Sequence, residues 1–99
     1  MKRYLYKSIN LYDEGLRLDY YIITTYITCG KKSVPSYGAE IVQKPVSSEC
    51  KLKDFSSRII DITPSYGKII SFTDILSENA VDPSLLLDAV TDGLEEGIF

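Results

Sequence analysis

At Thr63 the spacing of apolar residues changes period, and no other feature constrains the fold of this chain as much. Before it, apolar Leu5, Ile9 and Leu11 alternate with Tyr4, Tyr6, Ser8 and Asn10, the period of two that a half-buried strand imposes. After it, Ile69, Phe72, Thr73 and Leu76, with Tyr66 one turn earlier and Ala80 one turn later, follow the spacing of one helix face. The chain therefore reads as α+β. A two-layer arrangement is expected, with an antiparallel sheet of three or four strands over residues 3–63 covered by two C-terminal helices at about 65–79 and 83–95. The 99 residues, 44% of them hydrophobic, suit a single domain over 1–99. A domain of this size buries roughly two thirds of the surface its unfolded chain exposes, so neither a disulfide nor a metal is needed to hold it.

The first hairpin can be put in register from the sequence alone. Tyr12-Asp13-Glu14-Gly15 is a polar turn closed by glycine, and Leu16 to Thr28 is a second strand rich in Ile, Thr and Tyr. With those four residues as the loop, Leu11 faces Leu16, Ile9 faces Leu18 and Leu5 faces Ile22 on an apolar face. The opposite face then pairs Asn10 with Arg17, Ser8 with Asp19, Tyr6 with Tyr21 and Tyr4 with Ile23. Residues 29–36 read as a loop from Gly30, Pro35 and their small polar neighbours, and Tyr37 to Gln43 as a third strand ended by Lys44-Pro45. The signal is poor from Val46 to Ser57, with a flexible connection expected at 45–55, and Arg58 to Thr63 reads as a short strand. Thr63 or Ser65 can cap the first helix. Asp82-Pro83, an acidic N-cap with proline at the first helical position, opens the second, with Leu86, Leu87, Val90 and Leu94 on its apolar side. The phrase Pro-Ser-Tyr-Gly occurs at 35–38 and again at 64–67, but one copy leads into a strand pattern and the other into a helix pattern, so it reads as shared turn chemistry rather than a repeat.

Several chemistries are excluded by composition. Histidine is absent, which removes Ser-His-Asp and Cys-His catalysis and the commonest nitrogen metal ligand. Cys29 and Cys50 form no CxxC pair and are too few for a cysteine zinc site. With no apolar run of signal-peptide length after the basic Met1 to Lys7, both thiols are expected to be reduced in the cytoplasm, and no run reaches membrane-spanning length. The glycines are isolated, so neither a phosphate-cradling loop nor a dinucleotide fingerprint can be written. Asp54, Asp61, Asp74, Asp82, Asp88 and Asp92 invite a search for paired carboxylates, and an Asp-dependent hydrolase is a remote reading. No metal-loop spacing accompanies them, and Asp88 with Asp92 fits a solvated helix face.

Charge is laid out unevenly. All eleven basic residues lie between Lys2 and Lys68, with seven acids among them, a net of +4; residues 69–99 carry seven acids and no base, a net of −7. Attraction between the two parts within the fold is the simplest expectation. A pI near 4.8 argues against nucleic acid as a partner.

Eight tyrosines with no tryptophan are the informative excess. In the hairpin register above, Tyr4, Tyr6, Tyr21 and Ile23 share the face away from the apolar set, where amphipathic rings suit a protein contact; coverage by later parts of the chain is the plainer explanation. Lys31, Lys32 and Arg58 are the candidate contacts for an anionic ligand.

The segments Ser36-Tyr37-Gly38-Ala39-Glu40-Ile41, Ile60-Asp61-Ile62-Thr63-Pro64 and Leu76 to Val90 carry the patterns S-Y-G-x-E-[IV] and E-N-x-V-x-P-x-x-L-x-D-x-V. They resemble a family of small uncharacterised proteins, a domain of unknown function, from spore-forming low-GC Gram-positive bacteria. The resemblance spans roughly 16–95 and implies no activity; Ala39 stands where that family usually has a branched aliphatic residue. The expected function is a non-enzymatic cytoplasmic protein-interaction or regulatory module, its partner another protein or itself, with no cofactor, no metal and no membrane. A small-ligand or nucleotide-signal binder is the alternative.

Overall fold

A computed structural model of the chain describes residues 1–47 and 53–99. Four antiparallel strands, β1 (Lys2–Leu11), β2 (Leu16–Cys29), β3 (Lys32–Pro45) and β4 (Phe55–Thr63), lie side by side in chain order. Helices α1 (Tyr66–Glu78) and α2 (Leu86–Glu95) cover one face. The two-layer α+β reading is met, and Cys50 lies outside the described residues.

Each element follows from its local sequence. The turn between β1 and β2 is a short 3₁₀ segment, Tyr12–Glu14, closed by Gly15 at a φ of 66°, and Leu11 faces Leu16 across it as the sequence predicts. Ser65 caps α1, its hydroxyl accepting from the Lys68 backbone N–H. Asp82 accepts from the Ser84 N–H, with Pro83 buried in the first turn, and the second helix opens as a 3₁₀ turn, Pro83–Leu85, before α2.

Leu18, Tyr20 and Ile22 of β2 and Ala39 and Ile41 of β3 meet Ile69, Phe72 and Leu76 of α1 and Leu86 and Val90 of α2. Burial of this set is the main drive to the fold, at roughly 1.5–3 kcal/mol for each large aliphatic side chain. Tyr20 reaches through the layer to donate to the Val81 carbonyl at 2.8 Å. The Tyr20 phenol is buried, which raises its pKa.

Three expectations need correction. Residues 29–36 are not a loop: β2 pairs with β3 without a break from Leu16↔Pro45 to Cys29↔Lys32, and only Gly30 and Lys31 turn. Gly30 has a φ of 64° at the first of those two positions, where a II′ hairpin takes glycine. Pro35 is tolerated because β4 ends opposite Tyr37, leaving the outer edge of β3 at Pro35 with no ladder partner.

The hairpin register holds only for residues 7–11. A bulge at Tyr6 shifts the rest of β1 by one, so Leu5 faces Tyr21, Tyr4 faces Ile22 and Arg3 faces Ile23. The shift turns Leu5 outward, 51% exposed, and brings Tyr4 and Tyr6 to the helix side, where Lys7 already lies opposite Tyr20. Bonds to α1, some sixty residues away in the chain, outweigh the local alternation there.

On α2 the buried line is Leu86, Val90 and Gly93, while Leu87 and Leu94 face solvent. The C-terminal Phe99 folds back against Phe72, with ring centroids 4.8 Å apart, and fills the space over Gly93.

Candidate functional site

Among the described residues no element covers the sheet face opposite the helices, yet its centre is closed. Arg3 of β1, Tyr21 of β2, Glu40 of β3 and Arg58 of β4 form a belt across all four strands. Arg58 donates to one Glu40 oxygen through Nε and Nη2 at 3.3 and 3.2 Å, and Arg3 donates to the other. The Arg3 guanidinium also lies over the Tyr21 ring, 4.3 Å from its centroid. Glu40 beside it raises the Arg3 pKa. The carboxylate is buried, and two partly exposed arginines satisfy it from opposite sides. Ile23, opposite both Arg3 and Gly38, is completely buried under this belt. A second buried acid, Asp19, accepts from Ser8 at 2.6 Å and lies 3.1 Å from Arg17.

Gly38 lies beside the belt, where β4 makes a wide detour. Tyr37 faces Thr63 while Ala39 faces Ile59, so β4 spends more residues than β3 between those pairs. A Cβ on Gly38 would sit 2.2 Å from the Ile59 carbonyl oxygen, so only glycine lets the two backbones approach. Asp61 in the detour has a φ of 56° and accepts from Thr25 at 2.6 Å.

On the helix side, Tyr6 and Lys7 both donate to Asp74 Oδ1, at 2.9 and 3.0 Å. The ammonium and then the phenol hold the Asp74 carboxyl below its ordinary pKa, and Asp74 in turn raises the pKa of both donors. Tyr4 meets Tyr66 through the hydroxyls, and Tyr37 packs edge-on against the Tyr66 ring at 5.3 Å. This seam joins β1 to α1.

Beyond the belt, β2 and β3 outrun their neighbours. The last β1 pair is Lys2 with Thr24, and the last β4 pair is Thr63 with Tyr37, so residues 25–36 project as a two-stranded ribbon whose outer edges join no ladder among the described residues. Five residues on each strand make it roughly 17 Å long at ~3.4 Å per residue. Tyr26 (59%), Ile27 (45%) and Val34 (40%) are its exposed apolar side chains, and Ile27 is paired directly with Val34. Lys31 and Lys32 sit at the tip beside Cys29, an exposed free thiol among the described residues.

A family model described as a family of unknown function (DUF6514) matches residues 2–96. The chain belongs to this family. No curated protein and no solved structure matches it. The family match takes in the belt, the ribbon and both helices, and extends to β1, which the sequence motifs did not reach.

The residues singled out in the sequence divide between these places. Of the four proposed for a protein contact, Tyr21 and Ile23 stay on the open sheet face, half-buried and fully buried under the belt, while Tyr4 and Tyr6 belong to the helix seam. Lys31 and Lys32 do not converge with Arg58: its partner Glu40 stands eight residues from Lys32 along β3, roughly 26 Å. The belt residues Arg3 and Glu40 and the ribbon residues Tyr26, Ile27 and Val34 were not singled out. For the ribbon a signal was present: Gly30-Lys31 follows a run rich in Thr, Tyr and Ile, and a glycine at the first of two turn positions suits a hairpin.

Proposed function

We propose that the chain is a non-enzymatic protein-interaction module of the cytoplasm and that the ribbon of residues 25–36 is its docking element. The projection of that ribbon carries the reading. A two-stranded ribbon is only marginally stable on its own, and unpaired edges with exposed apolar side chains invite pairing with another chain. Folded proteins commonly blunt such edges; here Pro35 blunts the β3 edge, the β2 edge over 25–29 stays open, and Tyr26, Ile27 and Val34 are exposed on the ribbon's faces. A docking partner that adds a strand to the β2 edge and covers the Ile27–Val34 pair removes both liabilities at once.

The test is affinity capture from the source cell, with the wild-type chain beside a Tyr26→Ser, Ile27→Ser, Val34→Ser variant and hydrogen exchange measured on each complex. Partners should be lost with the variant, and the amides of 25–36 should become protected in the wild-type complex. Equal capture by both chains, or protection confined to other strands, overturns the reading.

A further inference from the structure

We infer that the ribbon tip of one copy docks in the groove between α1 and α2 of a second copy, Lys31 and Lys32 facing Asp92 and Glu96. This rests on the ribbon being the docking element and names its partner. The groove, about 220 Å³, is lined by Ile75, Val81, Ala89 and Ile98, with Asp92 and Glu96 on its α2 side. Apolar floor and acidic lip match an apolar ribbon with a basic tip.

Charge is the stronger argument. The expected attraction between the basic and acidic parts of the chain is hardly used within one molecule. Of the seven acids after Lys68, only Asp74 takes part in an ion pair among the described residues. Glu78 feels only the nearby Lys7, already bound to Asp74, and among the described residues Asp82, Asp88, Asp92, Glu95 and Glu96 form no ion pair, and neither do Lys31 and Lys32. The ribbon carries two lysines and no acid over 25–36, while residues 86–99 carry four acids and no base. A second copy brings the two together.

Ribbon and groove are different surfaces, so the contact is head-to-tail and each copy both gives and receives. The surfaces involved are small, so association should grow with concentration and weaken as salt screens the lysine–carboxylate pairs.

Sedimentation velocity over a wide concentration range, in low salt and in about 1 M salt where the Debye length is about 3 Å, tests this. The wild type should self-associate in low salt and dissociate in high salt. Lys31→Glu, Lys32→Glu in one variant and Asp92→Asn, Glu96→Gln in another should each be monomeric alone. Mixed in equal amounts they should form a dimer and stop there, because the mixture holds one intact ribbon and one intact groove; that same dimer shows both variants to be folded. Wild-type association that leaves the mixture monomeric overturns the inference, and so does a wild type that stays monomeric at every concentration. If the monomeric wild type still captures another protein through the ribbon, the docking reading stands and only the identity of the partner falls.

Discussion

Gly38, Gly67 and Gly93 differ in what an added methyl group would meet, and the difference sets the sign of each substitution. At Gly38 the obstacle is the β4 backbone, 2.2 Å from the Cβ position at the Ile59 oxygen and 2.7 Å at the Ile60 Cα, which cannot yield without unmaking the detour. Gly38→Ala should cost about 3 kcal/mol in a denaturant titration, the upper part of the overpacking range. At Gly93 the nearest atom, 2.6 Å away, belongs to the Phe99 ring at the chain terminus. There the methyl should displace Phe99, quenching the Phe72–Phe99 contact with a smaller loss. At Gly67, in the first turn of α1, nothing lies nearer than the Ser65 hydroxyl at 4.0 Å. Gly67→Ala should stabilise by about 0.5–1 kcal/mol through helix propensity alone. Equal effects at Gly38 and Gly67 would contradict the backbone approach described for β4.

At the scale of elements, β1 is held to α1 by the Tyr6–Asp74 and Lys7–Asp74 bonds. The Asp74 pKa is depressed in the fold, so its contribution is present above the unfolded carboxylate pKa of about 4 and is lost as pH falls through the folded value. Asp74→Asn should therefore melt below wild type at pH 6, and the gap should close as the pH falls through the depressed Asp74 pKa. A gap that persists in acid would mean the asparagine disturbs packing rather than charge. The same seam shows what the sequence could and could not disclose. Element types, the Leu11–Leu16 turn and the Asp82-Pro83 helix start were legible because each depends on neighbours in the chain. The bulge at Tyr6 was not, because its cause, Asp74, lies 68 positions away. The belt was half legible: Arg58 stood out as a base, but its use by Glu40 requires the β3–β4 register. On α2, Leu86, Leu87, Val90 and Leu94 read as one apolar side from hydrophobicity, yet only Leu86 and Val90 enter the core, and Leu87 and Leu94 stay exposed.

The whole molecule is longer than a packed chain of its size. Its extents are 53 × 27 × 17 Å and its radius of gyration is 14.6 Å, against about 12.6 Å for a compact 99-residue domain. The ribbon accounts for the excess. Joining Thr24 to Tyr37 through Asn-Gly, in place of 25–36, keeps their pairing across a two-residue turn. The shortened chain should retain its far-UV circular dichroism and scatter X-rays with a radius near 12 Å; loss of the folded spectrum would make the ribbon part of the core's support. The strand order bears on how this shape arises. Each strand is hydrogen-bonded only to the strands before and after it in the chain, so no ladder waits for a distant segment, and loop closure between partners is brief. A chain leaving the ribosome can zip β1, β2 and β3 together while α1 and α2 are still unsynthesised. The apolar face of that partial sheet then stays wet until the last thirty or so residues emerge, which makes the interval before the helices arrive the period of greatest exposure to aggregation.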